Sequence, residues 1–138
     1  MGLFSTFDIA GSALSAQSLR LNLTASNLAN MNNVAGDPQG VYRPRHAVFS
    51  AARPTFASEL DAAGVRILGV IESNAQPVRR YDPGHPQADE EGLVYATSIS
   101  PIEEMANMIS ASRSYQSSLE VINTAKELLS RTLSLGQA

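Results

Sequence analysis

The chain has 138 residues, a formal net charge of −3, 43% hydrophobic residues, 6% aromatics, and neither tryptophan nor cysteine. One domain fits by size, and apolar content carried largely by alanine suits helix packing better than a large globular interior. The missing cysteines exclude disulfides, thiolate catalysis and Cys-ligated zinc, and no basic stripe points to nucleic acid.

The N-terminal stretch lacks the basic then apolar layout of a secretory signal, since its first basic residue is Arg20. No run is apolar enough to predict membrane insertion. Gly2 and Thr6 fit a short myristoylation pattern, and Asn22 opens a formal glycosylation sequon. Both patterns are met often by chance, and Asn22 falls inside a predicted helix.

Periodicity predicts that first helix over residues 8–31, with Asp8 as its N-cap. Two apolar stripes run along it. One holds Ile9, Ala13, Ala16, Leu19 and Leu23; the other holds Ala10, Leu14, Leu21, Ala25 and Leu28. A helix resting on its own core needs one stripe, so two stripes predict neighbours on two sides. The Asn-rich stretch from Asn27 ends the helix, because Asn favours caps and turns. Residues 32–40 read as loop.

Residues 41–96 change character. Val41–Ser50, Gly64–Ser73, Gln76–Tyr81 and Gly92–Ser98 are rich in β-branched and aromatic residues, with Gly and Pro between them. They predict a small, mostly antiparallel β region leaning on the helices. Tyr81–Pro86 and Asp89–Gly92 read as turns.

The last element is the clearest. Ser100, Pro101 and Glu103 supply an N-cap, a preset first helical residue and the third residue of a capping box. Glu103 and Glu104 suit the positive end of the helix dipole. Neither Gly nor Pro follows until Gly136, so the helix should run about 33 residues, or about 50 Å. Met105, Met108, Ser112, Tyr115, Leu119, Ile122, Lys126, Leu129 and Leu133 alternate steps of three and four. That is a coiled-coil seam broken by Ser112 and Lys126. Two long helices with β structure between them would expose much apolar surface. Head-to-tail burial of such surface builds rings or filaments. The predicted fold is therefore mainly α: helices in 1–31 and 100–138 form one helical domain, and 32–99 form a loop and β-rich middle segment.

Site chemistry is sparse. Asp82, His85, Asp89, Glu90 and Glu91 cluster in sequence, but in a Pro/Gly turn without a second histidine. A turn that positions the following strand is the simpler reading. No nucleophile elbow and no phosphate-cradling loop occurs. No enzyme activity, cofactor, metal or small-molecule substrate is expected. Tyr115 reads as a seam residue. Arg113 and Arg131 either pair with carboxylates on adjacent helices or are solvated.

Several segments carry a family resemblance. Ala13–Asn22 and Ala25–Asn30 resemble the N-terminal signature of flagellar rod and hook proteins. Tyr81–Asp89 with Gly92, Met105–Gln116, Glu120–Thr124 and Thr132–Gln137 resemble the middle and C-terminal motifs of the short rod proteins. Asp37–Tyr42 fits the family loop only loosely. The resemblance implies a structural subunit whose terminal helices bundle in a tubular axial assembly. Interface residues would then be Ile9, Ala13, Leu14, Ala16, Leu19, Leu21, Leu23, Asn27, Leu28 and Asn30 on the first helix. On the last helix they would be the seam residues. The turn residues Tyr81, Asp82, Pro83, His85, Pro86 and Asp89 would make outer contacts. Implied partners are copies of itself, the rod proteins FlgB, FlgF and FlgG, FliE, and the flagellar type III export apparatus. The implied location is the rod in the periplasm, reached without a cleaved signal. A small coiled-coil adaptor or export chaperone is the competing reading, and it would be compact and stable alone.

Overall fold

A computed structural model of the chain describes residues 3–52 and 63–136. Two long helices, α1 (Leu3–Ala29) and α2 (Pro101–Leu135), flank five strands: β1 (Val34–Ala35), β2 (Arg45–Ala52), β3 (Gly64–Glu72), β4 (Val78–Tyr81) and β5 (Leu93–Ala96). Mainly α with a small antiparallel β region is the observed architecture.

The first helix starts at Leu3, so Asp8 is an exposed residue inside it and not its cap. Nothing in Leu3–Phe7 breaks a helix. Thr6 also shares a groove with Ala125 and Leu128 of α2, and such packing stabilises a helix beyond its propensity. The helix ends at Ala29, two residues before the expected end. There the Asn30 amide side chain donates to the Ser26 carbonyl at 2.8 Å.

At α2, Ser100 caps as expected: its Oγ accepts from the Glu103 N–H at 3.4 Å, with Pro101 opening the helix. The helix runs 35 residues, about 52 Å at 1.5 Å per residue.

All strand pairs are antiparallel. β5 is the centre of a three-stranded sheet ordered β1-β5-β4, with Val34 and Val78 both opposite Ala96. β2 and β3 form a separate hairpin whose register shifts at Val48/Phe49, leaving Leu68 as the extra residue. β2 begins at Arg45 and not at Val41, because Pro44 has no N–H for a ladder. Likewise β4 begins only after Pro77. The two-residue β1 lies in a predicted loop, since so short a strand has no period to read. The hairpin leans on α1, where Ser12 Oγ accepts from the Val65 N–H at 2.9 Å.

The core is thin. Among the described residues the buried apolar side chains are Ala10, Ala16, Val41, Val94, Ala111 and Ala125, none larger than valine. The accessible surface is 9541 Å². A compact monomer of 14.7 kDa would expose about 6,900 Å². A surface larger than that of a compact chain, over a core of small side chains, gives the helices little burial of their own. The isolated chain is therefore expected to show far less helix than the 27 and 35 residues of α1 and α2 would give. Circular dichroism checks this, and a fully helical monomer with a cooperative melt would refute it.

Candidate assembly surface

α1 and α2 pack antiparallel. Asn27 meets Glu104, Arg20 reaches the Asn107 side chain at 3.0 Å, and Thr6 lies beside Ala125 and Leu128. The buried residues of α2 are Glu104, Ala111 and Ala125. With half-buried Ser118 they repeat every seven residues. Small side chains on this row let α1 approach closely, against its own buried Ala10, Ala16 and Thr24.

The sequence seam therefore divides. Met108, Tyr115, Ile122 and Leu129 are half-buried and interleave with the buried row at steps of four and three. Ser112 is half-buried. Met105, Leu119 and Leu133 are 50%, 42% and 66% exposed, and Lys126 is exposed as well. The row inside the chain is shifted by one residue from the row of larger side chains, because packing against α1 selected the small ones. Ile102, Ile109, Val121, Leu128 and Leu135 widen the exposed apolar surface of α2. On α1, Ile9, Ala13, Leu14, Leu19, Leu21, Leu23 and Leu28 are half-buried, as is Asn30 just past its end. Ala16 and Asn27 have no exposure at all.

Asn27 sits where α1, α2 and β2 meet. Its Nδ2 donates to the Arg45 carbonyl at 3.0 Å and to Glu104 Oε2 at 3.2 Å. Its Oδ1 accepts from the Arg45 N–H and the Tyr42 hydroxyl, both at 3.0 Å. Two donors and two acceptor positions are thus filled, which is the full capacity of an amide. Burying it costs little only because all four are met. The Tyr42 hydroxyl also lies 3.1 Å from Ser26 Oγ, and the Tyr42 N–H donates to Asn33 Oδ1 at 2.9 Å. The Arg45 guanidinium stands 5.7 Å from the Tyr42 ring centre. Periodicity missed Glu104, Tyr42 and Arg45 because a side chain bridging three elements leaves no spacing to read. A buried partner for the Asn-rich run was the available signal.

The turn between β4 and β5 is held by its own side chains. Asp89 Oδ1 accepts from the N–H groups of Glu91 and Leu93 at 3.0 and 2.8 Å. Asp82 pairs with Arg80 at 3.3 Å, and His85 Nδ1 accepts from the Gln87 N–H at 3.2 Å. Gly92 has φ +74, and a Cβ there would lie 3.0 Å from the Tyr81 ring. Only glycine takes that conformation without strain. Tyr81 is 71% exposed, Pro83, Pro86 and Asp89 are exposed, and Asp82 and His85 are half-buried. No group of three or more His, Asp or Glu side chains among the described residues could hold a metal. No helix there is long and apolar enough to cross a membrane. Arg131 pairs with Glu127 on its own helix, while Arg113 is exposed.

Comparison with known proteins fixes the family. The model described as "Flagella basal body rod protein" matches residues 7–36, and "Flagellar basal body rod FlgEFG protein C-terminal" matches residues 90–135. The flagellar basal-body rod protein FlgC of Salmonella typhimurium is 48% identical over 138 residues, covering 99% of this chain and 100% of the relative. The chain belongs to the FlgC family of flagellar basal-body rod proteins. FlgC of Yersinia enterocolitica is 47% identical over 138 residues, with 99% of this chain and 100% of that one covered. FlgC of Borreliella burgdorferi is 34% identical over 152 residues, with 99% of each chain covered. This FlgC-type chain is a structural component of the flagellar basal body, not an enzyme. Its two family-matched segments are α1 with the Asn-rich loop, and β5 with α2. The Asn27–Glu104 and Arg20–Asn107 hydrogen bonds join one segment to the other. Between them lie the β2–β3 hairpin and most of the outer turn.

Proposed function

We propose that this chain is a subunit of the proximal rod, where it transmits torque by helical assembly with its neighbours. Residues 1–31 and 100–138 form the inner helical layer, and 32–99 carry the outer contacts, including the Tyr81–Asp89 turn. The interface is formed by the exposed and half-buried residues of both helices, led by Met105, Leu119 and Leu133. Its partners are copies of itself, FlgB, FlgF, FlgG and FliE. The chain passes through the type III export apparatus without a cleaved signal and assembles in the periplasm.

The observation that carries this reading is the combination of a core without large side chains and long helices with exposed apolar rows. Such a chain gains most of its burial from neighbours. An adaptor or export chaperone must be stable alone, and this core does not support that. The test is electron cryo-tomography of basal bodies in cells lacking this gene alone. An export base without a rod is the expected image. Complete rods and hooks would overturn the proposal.

A further inference from the structure

β3 and β4 follow each other in the chain, with residues 73–77 between them, yet they lie in different sheets. Consecutive strands usually neighbour one another. β4 is an edge of the sheet β1-β5-β4, and β3 is one of the two strands of the hairpin. Both carry apolar side chains into solvent: Val70 and Ile71 are 45% and 56% exposed, and Val78 is 55% exposed. A bare edge is a template for another strand, and a two-stranded hairpin is marginal alone in water. Among the described residues no strand pairs with the outer edge of either.

The hydrogen bonds already made show which main-chain groups are free. The Ser73 N–H donates to the Pro44 carbonyl at 2.8 Å, on the β2 side. Alternation along the strand then turns the N–H and C=O of Glu72 and Val70 outward. Arg45, opposite Glu72, agrees, since both of its main-chain groups turn away from β3 to Asn27. On β4 the Asp82 N–H donates to the Gly92 carbonyl at 2.9 Å, so the groups of Tyr81 and Arg79 face outward. Ser12 of α1 takes the outward N–H of Val65 at the far end of β3. Residues 70–72 stay open among the described residues.

We propose that the β4 edge of one copy of this chain pairs antiparallel with the β3 edge of a second copy. This rests on the reading of the chain as a rod subunit and names one of its outer contacts. The register sets Arg79 opposite Glu72 and Tyr81 opposite Val70. Outward groups then meet outward groups at both positions, and each pair exchanges two hydrogen bonds. A shift of two residues one way sets Glu72 against Pro77, which has no N–H. The same shift the other way carries Arg79 past the end of β3. The register that remains places a guanidinium beside a carboxylate and an aromatic ring beside a valine, both favourable cross-strand pairs. Arg79 has no ion pair among the described residues. Glu72 meets Arg45 at 3.8 Å with 62% of its side chain exposed, so its carboxylate can accept from a second guanidinium. The three-stranded sheet of one copy and the hairpin of the next then form one sheet in the order β1-β5-β4-β3-β2. The two edges are different surfaces, so each copy offers one of each and the contact propagates without closing.

The chain has no cysteine, so introduced thiols report this one contact. Ile71→Cys and Arg80→Cys lie opposite each other between the two pairs, where facing Cα atoms are about 4.5 Å apart and within disulfide reach. The full chain with both substitutions replaces the native one in cells, and basal bodies are isolated after oxidation. A ladder of dimer, trimer and higher species is expected on non-reducing gels. The two single variants made together should give dimer and nothing larger. Crosslinking by Ile71→Cys alone marks two β3 edges facing each other and overturns the proposal. A monomer that migrates faster marks closure of the same edges within one chain, through a turn over residues 74–77, and also overturns it. Motility with no ladder overturns this contact and leaves the rod reading standing. If the cysteine variants build no rod, the charge pair decides. Glu72→Arg is expected to abolish motility, and adding Arg79→Glu is expected to restore it. Normal motility in the single variant, or none in the swapped one, overturns the contact.

Discussion

Asn27→Asp is expected to cost about 3–5 kcal/mol, the range for breaking a buried polar pair and leaving charge uncompensated, and to abolish motility. Aspartate keeps the oxygen that accepts from Tyr42 and the Arg45 N–H, but it loses both donors. The Arg45 carbonyl is left without its 3.0 Å partner. A second carboxylate then faces Glu104 at the former 3.2 Å contact, between side chains of 0% and 5% exposure. Two like charges so placed repel with little water between them. The helix pair should part where α1, α2 and β2 meet. Helix content of the purified chain in a stabilising osmolyte, beside soft-agar motility, measures the effect. Adding Glu104→Gln should restore much of both, because glutamine supplies the N–H that the pair lost. If the double variant is no better than the single one, the clamp does not act through Glu104.

Leu119→Asp is expected to abolish assembly for a different reason. Leu119 is 42% exposed and lies outside the buried row of α2. Its substitution should therefore change the stability of one copy by no more than about 0.5 kcal/mol. The cost appears when a neighbour covers the position, since a buried unpaired charge is penalised by several kcal/mol. Circular dichroism should match the parent chain, and hydrogen exchange in the β region should be unchanged. Rods should be missing from cells. Normal motility in that variant would remove Leu119 from the interface. The two substitutions separate the roles of the helices: Asn27 holds one copy together, and Leu119 faces outward.

Much of the architecture was legible in the chain itself. The Ser100-Pro101-Ile102-Glu103 start and the unbroken run to Gly136 fixed α2 nearly residue for residue, because caps and breakers act through neighbours in sequence. The β-branched runs and the Pro/Gly turns located β2 to β5 for the same reason. Their edges moved where Pro44 and Pro77 remove a ladder donor, a purely local effect.

What only the tertiary structure decided was which face of each helix looks inward. Seven-residue spacing in α2 supports two adjacent rows. Hydrophobicity favoured the larger one, from Met105 through Leu119 to Leu133. Contact with α1 chose the row one residue earlier, from Glu104 through Ala111 to Ala125, because small side chains let two backbones come close. The role of Asn27 was settled in the same way. As a residue type it announced a helix end. Only the meeting of α1, α2 and β2 gave it four hydrogen-bond partners, on three residues 15 to 77 positions away. Local sequence determined the elements, and the packing of small residues determined what remained outside for neighbours to cover.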